Sequence, residues 1–147
     1  MMRVMTTLLL ASVLSAPTLA NDVDDQIKFR KSYWQVVKHE FGDVMAAMVR
    51  NKRPMDADRF AAAAARLAVL APLAAEAFPA GSTSDDSRAL AKIWQDAAGF
   101  AEALDAYETK AVALNAAVAT QDQAQIAQAF KAMGATCKGC HDNYRAE

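Results

Sequence analysis

From about Asp24 onward, the apolar residues of this chain recur at helical spacing in four successive blocks, with little β-branched clustering or strand punctuation to interrupt them. In the first block, from about Asp24 to Asn51, Ile27, Trp34, Val37, Phe41, Val44 and Met48 fall on one stripe. Asp22, Asp24 and Asp25 open this block and Arg50, Lys52 and Arg53 close it, which suits the helix dipole at both ends, and Pro54 stops it. The second block starts at an Asp56 cap and carries Phe60, Ala64, Leu67, Leu70 and Ala74, with Pro72 bending or ending its last turn. Phe78 to Ser87, rich in Pro, Gly, Ser and Asp, is a loop by its local signals. Leu90, Ile93, Ala97, Phe100, Leu104, Tyr107, Ala111, Leu114 and Val118 then sustain one long buried-face helix. Thr120 to Gln123 matches a capping box opening the fourth block, whose inward residues are Ile126, Phe130, Met133, Cys137, Cys140 and Tyr144. Four helices with short connections and one longer loop make an all-α, antiparallel up-down-up-down four-helix bundle, an architecture that houses cofactors between facing helices.

The last turns of the fourth block carry Cys137-Lys138-Gly139-Cys140-His141, a C-x-x-C-H run. This is the c-type haem attachment signature, in which two thiols add to the haem vinyl groups and the histidine ligates the iron. On a helix, Cys137, Cys140 and His141 stand at i, i+3 and i+4 and share a face. A redox dithiol is expected near a βαβ pattern, and a zinc site usually needs four ligands; here the remaining histidine is His39 and there is no third cysteine. The expectation is one covalent haem c near the C-terminus, held by Cys137 and Cys140 with His141 as axial ligand. After His141 come only Asp142 to Glu147, without methionine or histidine, so a sixth iron ligand comes from upstream or there is none. Gly134, inside the same helix, is either a loosened turn or clearance for the macrocycle.

Residues 1–20 have the layout of a secretory signal: Arg3, an apolar stretch from Val4 to Leu14, and Thr18-Leu19-Ala20 as a cleavage site before Asn21. The apolar run falls short of the ~20 residues a spanning helix needs. The remaining 21–147 is one domain in size, exported to the periplasm, where haem is joined to apoprotein and where exposed thiols would otherwise oxidise. The chain holds 16 Lys and Arg against 17 Asp and Glu. Loss of Arg3 with the leader leaves it slightly more acidic, and nothing points to nucleic acid or a membrane surface as partner.

The first-block segment Lys28-Phe29-Arg30-Lys31-Ser32, the later Ile93-Trp94 followed by Phe100, and the terminal Gly134-Ala135-Thr136-Cys137-Lys138-Gly139-Cys140-His141-Asp142-Asn143-Tyr144-Arg145 occur in the order and spacing of a known family. Through them the chain resembles cytochrome c prime, the class II c-type cytochromes, over nearly all of its exported part. The resemblance implies a homodimer joined through first helices and one haem with a histidine on one side. It also implies a five-coordinate, high-spin iron whose open side binds nitric oxide and carbon monoxide, with a role in electron transfer to redox partner proteins or in handling nitric oxide.

In that family the residue four after the first-helix arginine faces the open iron position, and here it is Trp34. An indole has no lone pair suited to iron, so the expectation is a vacant sixth position screened by a bulky ring, in place of the more usual leucine, methionine, tyrosine or phenylalanine. Read without the resemblance, Trp34 is an ordinary core aromatic. Arg30, one turn earlier on the inward stripe, needs a partner if buried, and the resemblance supplies a haem propionate; otherwise it snorkels to the surface. Arg145, at i+4 from His141, lies at the proximal haem edge or in solvent. The alternative is a low-spin, six-coordinate electron carrier using Met45, Met48 or His39. Both methionines suit core filling better, and His39 falls off the stripe toward the surface. An enzyme such as a peroxidase normally wants a polar acid-base group, and no histidine or carboxylate shares the Trp34 stripe within a turn, so the chain is not expected to be an enzyme.

Overall fold

The computed structural model describes residues 19–147, with side chains from Asp22 onward. The expected leader therefore lies outside the described residues except for Leu19 and Ala20, which open the first helix. That helix, α1 (Leu19–Val37), continues through a π-helical stretch, Lys38–Met45, into a last α turn, Ala46–Val49. The wider winding shows in the Ala46 amide, which bonds back five residues to the Phe41 carbonyl. Glu40, in this stretch, is buried and meets Arg66 through two hydrogen bonds of 2.8 Å. The rod ends short of Pro54 because Asn51 adopts a left-handed φ of 55° and the Lys52 amide closes onto the Ala47 carbonyl at 2.8 Å.

The second helix, α2 (Ala57–Leu70), is capped as expected by Asp56, whose carboxylate accepts the Arg59 amide at 3.0 Å. It tightens into a 3₁₀ helix over Ala71–Ala77, where Pro72 has no N–H to donate. A short turn, Lys92–Gln95, precedes α3 (Ala97–Ala119). Asp96 interrupts the helix and caps α3, so the stripe is broken at its start. Ile93, Phe100, Leu104, Tyr107, Ala111 and Leu114 are buried, while Leu90 and Ala97, expected inward, are exposed.

The fourth helix, α4 (Gln123–Tyr144), corrects the expected cap. Asp122, not Thr120, is the N-cap, accepting the Ala124 and Gln125 amides at 2.8 and 3.1 Å. Gln121 takes a left-handed φ of 58°, which leaves Thr120 on the last turn of α3, its hydroxyl donating to the Ala117 carbonyl at 2.7 Å.

Contacts along the rods give their directions. Tyr33 reaches Leu70 and Glu40 reaches Arg66, so α1 and α2 run opposite ways. Tyr144 at the end of α4 bonds Asp96 at the start of α3, while the other ends meet across the 120–122 turn. The result is the antiparallel four-helix bundle expected from the periodicity. Met45, Leu67, Leu114 and Met133 are fully buried in its centre, each contributing roughly 1.5–3 kcal/mol of burial. Among the described residues, one isolated antiparallel bridge, Ala89 with Arg145, is the sole strand-like pairing.

Candidate haem site

The C-x-x-C-H run occupies the last two turns of α4, and Cys137 and Cys140 are free, half-buried thiols on its inward side. Burial pushes both thiols above the ordinary cysteine pKa, so both remain protonated at neutral pH. His141 is exposed. Partial desolvation, then the nearby Arg145 and Arg88 guanidiniums, pull its pKa below the usual imidazole value, keeping a ring lone pair available to a metal. Arg145 is exposed, as one of its two readings required, yet its Nη1 stands 3.3 Å from His141 Nδ1.

The end of α4 is clamped from two sides. Tyr144, 7 % exposed, donates to Asp96 Oδ2 at 2.8 Å, and this bond to a carboxylate raises the phenol pKa to about 12. The Asp96 carboxylate also accepts the Gly99 amide at 3.3 Å, capping α3. A Cβ on residue 99 would fall 2.7–2.8 Å from the Asp96 carboxylate oxygens and 2.8 Å from the Tyr144 hydroxyl, so this meeting of helices requires glycine. The segment before α3 adds backbone bonds, Leu90 N–H to the Tyr144 carbonyl at 3.0 Å and Ala146 N–H to the Arg88 carbonyl at 2.8 Å. One turn before Cys137, a Cβ on Gly134 would meet the Phe41 ring at 3.6–3.8 Å, an ordinary contact. Phe41 itself stacks on Phe130 at 4.5 Å.

Facing the motif is a cluster of rings. Trp34, half-buried, lies edge-on to Tyr33 at 4.8 Å and tilted against Tyr107 at 5.7 Å and Phe78 at 6.4 Å. Phe78 contacts Phe100 at 4.9 Å, and Phe100 contacts Tyr144 at 5.1 Å, so the rings run from α1 to the clamped end of α4.

Arg30 is 5 % exposed, which excludes the surface reading. Its Nε donates to the Ala77 carbonyl at 2.7 Å, Nη1 to Ser87 Oγ at 2.9 Å, and Nη2 to the Ser82 carbonyl at 2.9 Å and to Ser82 Oγ. The guanidinium also lies over the Phe78 ring at 4.5 Å. Arg30 thus ties down the loop between α2 and α3 and retains one Nη1 hydrogen for another acceptor. His39 is exposed, 4.0 Å from Asp43, and Met45 and Met48 are buried in the core, as expected of all three.

The donor set suits a covalent haem: two protonated thiols and a neutral imidazole on one stretch of helix, set against aromatic rings. Sequence reasoning did not single out Tyr33 as a neighbour of Trp34, nor the Asp96, Gly99 and Tyr144 meeting. Its available signal for the first was an adjacent Tyr33-Trp34 pair, and the second depends on residues more than 40 positions apart.

These features define a c-type haem protein built on a four-helix bundle. The family model described as cytochrome C' matches residues 25–145. The cytochrome c' of Rubrivivax gelatinosus is 38% identical over 122 residues, covering 82% of this chain and 94% of that protein. The solved cytochrome c prime from Shewanella frigidimarina is 42% identical with a TM-score of 0.81, covering 85% of this chain and 97% of that one. A leucine-to-alanine mutant of the Alcaligenes xylosoxidans protein, solved as its nitric oxide complex, is 34% identical with a TM-score of 0.77, covering 85% and 96%. The chain belongs to the cytochrome c prime family, and its cofactor is covalently attached haem c.

Proposed function

We propose that residues 1–20 are a cleaved leader and that 21–147 is a periplasmic haem protein with a five-coordinate, high-spin iron, which binds nitric oxide and carbon monoxide and exchanges electrons with redox partner proteins. When attached, the haem supplies an iron able to take up a diatomic ligand or an electron. Cys137 and Cys140 would give the thioether links, and His141 would give the iron an imidazole nitrogen, with Arg145 Nη1 standing 3.3 Å from its Nδ1. Arg145 sits at the proximal edge beside that ring. Arg30 holds the α2–α3 loop over the pocket and offers its remaining Nη1 hydrogen to a propionate. Trp34 lines the distal side, where its indole excludes water and restricts entry without occupying a coordination position.

The observation that carries this reading is the fate of the possible sixth ligands. Met45 and Met48 are buried in the core about 16–21 Å along the rod from Trp34, at ~1.5 Å per residue, and His39 is exposed beside Asp43. Gas binding also accords with the nitric oxide and carbon monoxide complexes of Alcaligenes xylosoxidans variants. Phe29 and Val36, seven residues apart and about 40% and 45% exposed on α1, support self-association through the first helix. A role as an enzyme is not proposed, because the polar groups beside Trp34 are two tyrosine hydroxyls already bonded within the protein. The test is carbon monoxide binding to the ferrous protein. Trp34→Ala is expected to raise the association rate at least about tenfold, a barrier change of ~1.4 kcal/mol. An unchanged rate would remove Trp34 from the ligand path.

A further inference from the structure

Tyr33 and Tyr107 are 5% and 3% exposed, and their hydroxyls lie 3.3 Å apart. Tyr33 donates its one hydroxyl proton to the Leu70 carbonyl at 3.1 Å, so in the shared bond Tyr107 is the donor and Tyr33 the acceptor. This gives a directed chain from α3 through α1 to α2. It ends at Leu70, where α2 tightens into the 3₁₀ turn that contains Pro72. The two tethered rings are also two of the three that hold Trp34, Tyr33 by its edge and Tyr107 at a tilt. Among the described residues the Trp34 indole N–H has no hydrogen-bond partner in the protein, so ring packing sets its orientation. Burial raises both phenol pKa values, which keeps the two protons in place.

We propose that the Tyr107–Tyr33–Leu70 hydroxyl chain is the latch of the Trp34 gate, fixing the two rings that hold the indole and so setting the rate at which a small diatomic ligand enters the haem pocket. Tyr33 and Tyr107 are positioning residues and act through Trp34. The proposal rests on the reading of Trp34 as the distal residue, and the test separates the two.

Carbon monoxide association is measured on the ferrous holoprotein for the wild type, Tyr107→Phe, Tyr33→Phe, Trp34→Ala and the Trp34→Ala/Tyr107→Phe double variant. Each Tyr→Phe change keeps its ring and removes one hydroxyl. Tyr107→Phe removes one bond of the chain and is expected to raise the rate about fivefold, the factor that corresponds to one net hydrogen bond, and Tyr33→Phe, which removes both bonds, is expected to raise it by at least as much. In the Trp34→Ala background, Tyr107→Phe should add nothing, because the group it controls is gone. If Trp34→Ala accelerates binding while both Tyr→Phe rates stay at the wild-type value, the latch is wrong and the gate stands. A purely structural role would give that pattern with a lowered unfolding midpoint. If Tyr107→Phe accelerates binding equally with and without Trp34, the hydroxyl acts directly and the latch is overturned. If Trp34→Ala changes nothing, both the gate and the latch fall.

Discussion

Gly99→Ala and Gly134→Ala are the same substitution on facing helices, and the structure assigns them opposite signs. At position 99 the new methyl would sit 2.7–2.8 Å from the Asp96 carboxylate and 2.8 Å from the Tyr144 hydroxyl, too close for either to stay. Displacing the carboxylate loses the cap of α3, worth about 1 kcal/mol, and the Tyr144 bond to a charged acceptor, worth about 1.5–3 kcal/mol. The helical preference of alanine over glycine returns up to about 1 kcal/mol, leaving Gly99→Ala destabilised by roughly 1.5–3 kcal/mol. At position 134 the methyl meets the Phe41 ring at 3.6–3.8 Å, so the preference is gained without a clash and stability should rise by about 0.5–1 kcal/mol. Urea unfolding of the holoproteins, followed by far-ultraviolet circular dichroism at constant m, reads both changes from the shift in midpoint. Equal signs would refute the reasoning. A destabilised Gly134→Ala in particular would show that the glycine clears space for the macrocycle.

The Glu40–Arg66 pair gives a pH dependence. Hydrogen bonds from Arg66 hold the Glu40 carboxyl below its usual pKa, so its contribution is present above about pH 4.5, the ordinary value, and is lost as pH falls through the depressed one. Glu40→Gln should therefore cost about 1–2 kcal/mol at pH 7, discounted for the half-exposed Arg66, and the gap to wild type should close in acid; a gap independent of pH would contradict the pairing. Arg30→Ala removes four hydrogen bonds to the α2–α3 loop and should cost about 3–4 kcal/mol while opening residues 78–87 to protease; resistance equal to wild type would mean the loop is held otherwise. Asp122→Ala should cost about 1 kcal/mol and Thr120→Ala distinctly less, and the reverse order would restore Thr120 as the cap. In the Cys137→Ala/Cys140→Ala double variant acidic organic solvent should extract the haem, whereas each single variant keeps it on one thioether; haem retained by the double variant would overturn the attachment assignment.

The bundle and the haem motif were legible because both are written locally. Apolar residues at 3-4 spacing declare a helix face, and the motif lies within five consecutive positions. The stripe of α1 survived the π-helical stretch because Phe41, Val44 and Met48 still turn inward, but the extra width that goes with a buried Glu40 leaves no local mark. The capping error had a local cause: Thr120 and Asp122 are both good caps, and the choice was made by Gln121 taking a left-handed φ, which its residue type does not announce. The place of Arg30 on the inward stripe calls for a partner, but its protein partners are Ala77, Ser82 and Ser87, 47–57 residues away in the segment between α2 and α3. The Asp96, Gly99 and Tyr144 clamp and the Tyr33–Tyr107 pair are tertiary juxtapositions, visible only once the rods are packed.

The most direct measurement is the optical and electron paramagnetic resonance spectrum of the purified protein, ferric and ferrous, with and without nitric oxide. A five-coordinate, high-spin signal that changes on adding the gas is the result expected of His141 on one side and an open, Trp34-lined position on the other. A low-spin, six-coordinate spectrum indifferent to nitric oxide would contradict it, because a second protein side chain would then be on the iron.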